Sequence, residues 1–126
     1  DCSDDGTYEW LKNNKIEFLR SNKRKGYTEN LISGMKHIIK YAYKSEYLLT
    51  MDADGEHKVL NLDKIMSLVK NNLDVDLFVG NRDKKNRFSE TILGFFFKIK
   101  FGIFDPLCGF KLYRINFVQK HLNIIL

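Results

Sequence analysis

Residues 47–54 read YLLTMDAD and decide the fold, because an apolar run ends there in two acidic residues. The apolar run predicts a buried strand that emerges at its carboxyl end. Side chains two positions apart in an extended chain point the same way, so we expect Asp52 and Asp54 to converge on one point and to face a cleft. Ligands of open α/β sheets bind at the carboxyl ends of strands.

Two carboxylates at such a position suit Mg²⁺ or Mn²⁺, and either ion can bridge the oxygens of a diphosphate. The stretch therefore predicts a metal-dependent nucleotide-diphosphate site at Asp52 and Asp54. A second interpretation stays open on this stretch alone, since Asp and Gly after a strand also form ordinary polar turns. A calcium loop of the EF-hand type is excluded, because the glycine that it requires would fall on His57.

The composition is that of one globular domain over residues 1–126, with 44% hydrophobic residues. The 21 Lys and Arg exceed the 16 Asp and Glu, and the net charge of +5 suits anionic partners. Cys2 and Cys108 lack C-x-x-C spacing and are too few for a disulfide framework, which indicates a reducing, cytoplasmic compartment. We expect no membrane span, because no apolar run approaches ~18 residues, and no signal peptide.

Apolar spacing alternates between helical and strand-like segments along the chain. A short helix is predicted from Thr7, as its cap, through Leu11. Further helices are predicted at 28–43, 61–72 and 87–101, and through Val118 and Leu122. Strands are predicted at 16–20, 47–51 and 75–79, and a strand or turn at 109–113. This alternation argues for an α/β fold whose parallel sheet carries helices on both faces, with no internal domain boundary.

Five short motifs follow one another along nearly the whole chain. They are DCSDDGT at 1–7, KGYTEN at 25–30, MDADGEH at 51–57, GNR at 80–82 and DPLCGFK at 105–111. In this order they resemble the motifs of glycosyltransferase family 2, nearest to the dolichyl-phosphate and polyprenyl-phosphate sugar transferases. Cys2 and Asn30 depart from the family pattern, which has Gly and Ala at those positions.

The resemblance implies the nucleotide-sugar-binding α/β fold of the glycosyltransferase A type, a Rossmann-like parallel or mixed sheet with flanking helices. In that family two strands precede the D-G-S motif with which this chain begins. We therefore expect residues 1–126 to be a single partial catalytic domain that lacks the first two strands. In a doubly wound sheet those strands would lie between 16–20 and 47–51, so the predicted strand at 47–51 would be a central one. The activity of the chain itself is then an open question.

The resemblance also assigns residues that would bind the donor. Asp52 and Asp54 would contact the nucleotide-diphosphate sugar and its Mg²⁺ or Mn²⁺. Asp1 would lie near the nucleoside. Lys25 could meet a phosphate, and its alternative is a solvated basic loop over residues 23–25. His57 is expected near the metal without binding it, because these ions prefer oxygen ligands.

Arg82 is the candidate for binding anionic substrate on the acceptor side. It follows a predicted strand and a Gly, where the family has a basic residue, and its planar guanidinium suits phosphate. Arg87 would join it, whereas Lys84 and Lys85 are interpreted as loop charges.

Asp105 stands at the position of the family's substrate-side acid. A hydroxyl acceptor would need Asp105 as general base, because its proton must leave as the bond forms. A lipid phosphate, with a second pKa of ~6 by analogy with phosphorylated side chains, would attack without a base. Asp105 would then have an electrostatic or metal-shell role. The resemblance implies transfer of a hexose with inversion, and we favour polyprenyl or dolichyl phosphate over a sugar hydroxyl as acceptor.

Residues 95–101 read FFFKIKF and combine apolar bulk with Lys98 and Lys100. Such a segment is either a contact with the cytoplasmic face of a membrane or a core helix with two exposed lysines. Among other functions, a truncated and catalytically dead nucleotide-sugar-binding module stays open. A nucleic-acid-binding domain is suggested by charge alone and is disfavoured, because the chain has no recognised motif and its aromatic residues lie mostly in apolar runs.

Overall fold

The computed structural model describes residues 2–41, 44–55, 57–58, 60–82 and 88–125. The chain falls into two compact units, the first over Asp1–Lys44 and the second over Ser45–Ile125. Each unit has its own secondary structure.

The first unit begins with helix α1, Thr7–Asn13. Gly6 precedes it with a φ of 84°, a left-handed conformation that glycine adopts without steric cost. The backbone N–H of Thr7 donates to Asp5 Oδ1 at 3.1 Å. A hydrogen bond from the side chain of Thr7, and after it this backbone bond, hold the pKa of Asp5 below its ordinary value. The predicted short helix is therefore confirmed, but Thr7 as its cap is wrong. Thr7 is the first helical residue, and the side chain that accepts the free N–H belongs to Asp5.

The strand predicted at 16–20 does not form. These residues have no strand partner and lie in an irregular segment after α1. Their contacts are made by side chains: the ring of Phe18 meets the ring of Tyr8 edge to face, with centroids 5.5 Å apart. The guanidinium of Arg20 lies 3.8 Å from the same tyrosine ring. Phe18 thus packs against α1, whereas Ile16 and Leu19 are exposed, and no neighbouring strand pairs the backbone groups of this segment.

Helix α2, Tyr27–Tyr41, confirms the helix predicted from residue 28. Gly26 precedes it with a φ of 78°. Met35 is buried on the predicted apolar face of this helix. Glu29 in the first turn forms an ion pair with Lys25, with 3.5 Å between Lys25 Nζ and Glu29 Oε1.

The second unit is built on a three-stranded sheet of order β1-β3-β2. The strands are β1 (Tyr47–Thr50), β2 (Leu77–Val79) and β3 (Lys111–Arg114). Both outer strands are antiparallel to β3, in registers that pair Leu49 with Leu112 and Phe78 with Leu112. In the described part of the chain the predicted parallel neighbours are therefore wrong. β1 and β2 do run in the same direction, but β3 lies between them, and β1 is an edge strand of this sheet.

Three helices accompany the sheet: α3 (Leu60–Asn71), α4 (Phe88–Phe101) and α5 (Ile115–Ile125). They confirm the helices predicted at 61–72, at 87–101 and through Val118. The core combines two residues of α3 with three from β3 and the segment before it, and its buried members are Ile65, Val69, Cys108, Phe110 and Leu112. Among the described residues, none of the helices has the length and apolar character that crossing a membrane would require.

Candidate active site

An open cleft of about 1060 Å³ lies within the second unit, where β2 ends. One wall is α3, with Asn61, Lys64 and Leu68. β2 and the residues that follow it, through Arg82, form a second wall. The end of α4 and the segment after it, residues 101–104, form a third. The cleft therefore combines cationic side chains with an apolar surface.

Gly80 allows the chain to leave β2 in close contact with the segment before β3. Its N–H donates to the carbonyl oxygen of Phe110 at 2.8 Å. A Cβ at this position would lie 3.0 Å from both that oxygen and the Sγ of Cys108. A side chain at position 80 would therefore be crowded by these two atoms. The close approach of the two segments places Arg82, two residues later, in the cleft.

Arg82 and Asp105 form a bidentate ion pair. Arg82 Nε donates to Asp105 Oδ2 at 2.8 Å, and Nη2 donates to Oδ1 at 3.1 Å. The backbone N–H of Arg82 also donates to Oδ2, at 3.3 Å. The Asp105 side chain is only 2% exposed, so this carboxylate is removed from water and both of its oxygens accept hydrogen bonds from Arg82.

Glu90 is the second carboxylate bound to Arg82. It lies in the first turn of α4 and accepts a hydrogen bond from Arg82 Nη2 at 3.2 Å. The hydrogen bond to Asp105, together with the charges of both acids, raises the pKa of Arg82 above its ordinary value. Arg82 therefore stays a cation at physiological pH. Its bonds to described residues use Nε, Nη2 and the backbone N–H, and none of them uses Nη1.

Asp105 is held in place by a turn that its own sequence encodes. The N–H of Cys108 donates to the carbonyl oxygen of Asp105 at 3.2 Å, which closes a four-residue turn. Pro106 occupies the second position of that turn, where its fixed φ is favourable. After this turn the chain continues through Gly109 into β3.

Asp52 lies against this same segment. A Cβ at Gly109 would come within 2.0 Å of Asp52 Oδ2, so the carboxylate occupies the space where any other residue would have a side chain. Thr50, at the end of β1, donates its hydroxyl to the carbonyl oxygen of Gly109 at 2.8 Å. His57 Nε2 lies 3.9 Å from Asp52 Oδ2, and its ring packs against Phe110 with centroids 5.2 Å apart. These contacts hold Asp52 between the end of β1 and the segment that leads into β3.

Asp54 lies further along the chain from the end of β1 than Asp52 does. The strand ends at Thr50, and residues 53–55 form a bend in which Gly55 has a φ of 82°. We expected Asp52 and Asp54 to converge because side chains alternate between the two faces of an extended strand. The bend ends this alternation before Asp54. Asp54 is exposed, whereas Asp52 is partly buried.

Asp52 and Asp54 both carry carboxylate oxygens, the type of ligand that a small divalent cation prefers. Within the described residues, no group of three or more His, Cys, Asp or Glu side chains is arranged to hold a metal ion. Mg²⁺ commonly binds through one or two carboxylates and completes its shell with water and substrate phosphates. Two accessible carboxylates, Asp52 and Asp54, meet that requirement, and they stay the predicted metal ligands.

Of the predicted site residues, Arg82 lines the cleft, whereas Asp52, Asp54 and Asp105 are not among its lining residues. Lys25 belongs to the first unit, where it pairs with Glu29. Asp1 and Arg87 lie outside the described residues, as do Lys84 and Lys85. Glu90 was missed by sequence reasoning, and an acidic residue in the first turn of a predicted helix just after Arg82 was the available signal. Nothing in the sequence signalled the contact between Asp52 and Gly109.

The family model described as glycosyl transferase family 2 matches residues 1–121. The comparison with curated proteins gave no match, and neither did the comparison with solved structures. The family-level prediction from the five motifs is therefore confirmed. The narrower likeness to polyprenyl-phosphate sugar transferases stays a prediction.

Proposed function

The chain belongs to glycosyltransferase family 2, and we propose that it transfers a hexose from a nucleotide-diphosphate sugar to polyprenyl or dolichyl phosphate, with inversion at the anomeric carbon and with Mg²⁺ or Mn²⁺. The observation that carries the proposal is Arg82 in the cleft, fixed by the buried Asp105 and by Glu90. Membership of the family supports a sugar-nucleotide donor and an acceptor. The nature of the acceptor rests on the chemistry of the cleft.

The donor side of the proposal rests on Asp52 and Asp54. Asp52 is held beside Gly109 and His57, with its side chain 39% exposed and therefore accessible to a ligand. The two carboxylates would hold the ion, which when bound offsets the charge that builds on the departing nucleoside diphosphate. His57 packs against Phe110 and lies close to one oxygen of Asp52, so it would orient that carboxylate.

The acceptor side rests on Arg82 and its surroundings. Two carboxylates hold the guanidinium by Nε and Nη2, so it is oriented in advance and its Nη1 can donate to a phosphate oxygen. Lys64 is a second cation in the lining of the cleft, and Leu68, Phe101 and Phe104 give it apolar walls. This combination suits an anionic head group on an apolar chain.

The chemistry then needs no proton to be removed. An oxygen of the acceptor phosphate attacks the anomeric carbon, and the bond from that carbon to the diphosphate breaks as its electron pair leaves with the nucleoside diphosphate. Arg82 would hold the attacking phosphate in place through a hydrogen bond, and Lys64 in the lining of the cleft would supply positive charge, because Asp105 and Glu90 already offset that of Arg82. Asp105 would act through Arg82, by fixing the direction in which the guanidinium points.

The runner-up is transfer to a sugar hydroxyl, with Asp105 as base. Against it stands the geometry of Asp105, whose two oxygens already accept hydrogen bonds from Arg82 at 2.8 and 3.1 Å. Taking a proton would remove the negative charge of this buried carboxylate and weaken its ion pair with Arg82, which makes Asp105 a poor base. A catalytically inactive binding module is the other alternative, and transfer assays separate it from an enzyme.

The test is donor binding by isothermal titration calorimetry with UDP- and GDP-hexoses, in Mg²⁺, in Mn²⁺ and in chelator. It is run on the 126-residue chain and on the product of the full open reading frame. We expect binding only with metal, and Asp54→Ala should abolish that metal dependence. Asp74→Ala, which removes another exposed carboxylate, is the matched control and should change nothing. Equal binding in chelator would overturn the metal-dependent mechanism, and binding without any transfer would favour the inactive module.

A further inference from the structure

Helix α4 presents an apolar stripe to solvent. Its members share one face at the spacing i, i+3, i+4 and i+7, and they are Ile92, Phe95, Phe96 and Ile99. Their exposed fractions are 57, 67, 54 and 71%, respectively. Gly94 is buried on the opposite side of the helix, and Phe97 is partly buried. Helix α4 therefore covers Gly94 and part of Phe97 and leaves a second, apolar face in water, an arrangement that marks an interaction surface.

The charged residues that border this α4 stripe within the helix are both lysines. Lys98 and Lys100 lie on either side of it, and residues 91–101 contain no acidic residue. Both lysines stay close to aromatic rings, with Lys98 Nζ 4.8 Å from the centroid of Phe104 and Lys100 Nζ 5.7 Å from that of Phe96. Glu90, the acid of the first turn, is directed to Arg82. An occupant of the stripe would thus meet apolar bulk bordered by cations.

We infer that the α4 stripe rests on the surface of an anionic lipid bilayer. Phe and Ile enter the boundary between head groups and acyl chains, while flanking lysines reach lipid phosphates, which is how amphipathic helices bind membranes. A second copy of the chain is a poorer occupant, because a symmetric contact between two stripes would bring lysines against lysines. Charge complementarity therefore selects an anionic bilayer.

The end of α4 also reaches the cleft, but by its other face. Phe101, which ends α4, and Phe104 both line the cleft and are 55 and 51% exposed. The stripe itself is not part of the lining of the cleft. The inference does not depend on the proposed acceptor, because any membrane-surface role of α4 would use the same residues.

The test is co-sedimentation of the purified chain with vesicles of phosphatidylcholine alone or mixed with phosphatidylglycerol, without sugar substrates. We expect binding to the anionic vesicles and little to the neutral ones. The double substitution Phe95→Ser with Ile99→Ser should weaken partition at least about tenfold, since it removes apolar surface from the contact. Lys98→Gln with Lys100→Gln should weaken it roughly tenfold to thirtyfold, and added salt should act in the same direction.

The matched control is Leu60→Ser with Leu73→Ser, which removes two leucines that are 67 and 68% exposed but lie outside α4. It should leave vesicle binding unchanged. All the substituted side chains are exposed, and circular dichroism verifies that each variant keeps its helices. The inference fails if neutral and anionic vesicles bind equally, or if neither binds. It also fails if light scattering without lipid finds a dimer that the α4 substitutions dissolve, because a second copy would then cover the stripe.

Discussion

Arg82 and Asp105 were each predicted as site residues, yet the sequence did not indicate that they bind each other. They stand 23 positions apart, on either side of α4, and the contact depends on how β2 and the turn before β3 meet. The pair changes what a substitution at Arg82 measures. Removing the guanidinium takes away a candidate phosphate ligand and also leaves a buried carboxylate without its partner.

We therefore predict that Arg82→Ala lowers the free energy of unfolding by about 3 kcal/mol, the order expected when a buried charge loses its partner. Urea denaturation measures this change. Arg114→Ala is the matched control: both arginine side chains are 23% exposed, but Asp76, the partner of Arg114, is 52% exposed where Asp105 is 2%. Breaking an exposed pair should cost less than about 1 kcal/mol. Equal losses in the two variants would show that burial of Asp105 does not matter.

Gly109 offers a way to move the Asp52 carboxylate without altering its chemistry. We predict that Gly109→Ala displaces this carboxylate, because the new Cβ would lie 2.0 Å from Oδ2, while the fold is kept because only the end of a side chain has to move. Metal-dependent donor binding should weaken at least about tenfold if Asp52 is a ligand, a change of about 1.4 kcal/mol. Calorimetric titration of the donor with Mg²⁺ measures it. Unchanged binding in a folded variant would remove Asp52 from the metal site.

At the scale of elements, apolar spacing predicted the helices and the three strands of the second unit but not the pairing between strands. The buried run at 47–50 reads the same whether its neighbour is parallel or antiparallel, because the direction of β3 is set by contacts distant in sequence. Leu112 shows this, since it pairs with Leu49 on one side and Phe78 on the other. The strand predicted at 16–20 failed for the related reason that no neighbouring strand pairs with these residues, and of their apolar side chains Phe18 packs against α1 while Ile16 and Leu19 stay exposed.

The junction between β2 and the segment before β3 yields an element-scale prediction. Gly80→Ala should destabilise the protein by about 1–3 kcal/mol, a typical cost of overpacking. The added methyl group would meet the backbone oxygen of Phe110 and the Sγ of Cys108, both at 3.0 Å, and a backbone atom cannot rotate away. Thermal and urea unfolding measure the loss, and Gly34→Ala, where a Cβ would have nothing within 4 Å, is the control. Equal stability of the two variants would mean that the strands do not approach this closely.

For the whole molecule, the motifs predicted the family, and the structure brings three of them into contact. Asp52, from the motif at 51–57, lies against Gly109, from the motif at 105–111, and Arg82 binds Asp105 from that same motif. The order of the motifs identifies the family because the motifs are distributed along nearly the whole chain. The role of each acid could not be predicted from the sequence, because burial and partners decide whether a carboxylate binds a metal, takes a proton or holds an arginine.

The role of Asp105 in transfer can be determined by substituting it with asparagine. If the acceptor is polyprenyl phosphate, Asp105→Asn should keep the transfer rate per folded molecule within about tenfold of the wild type, since no proton is removed and Arg82 supplies the phosphate contact. If the acceptor is a hydroxyl, loss of a general base should lower the rate by about 10²–10⁴. The rate is measured with both acceptor types, at a temperature where denaturation curves show the variant folded. Metal-dependent donor binding in the same variant is the control, because it should survive in either case. A collapse of transfer with donor binding intact would make Asp105 a base and would replace the lipid phosphate by a hydroxyl acceptor.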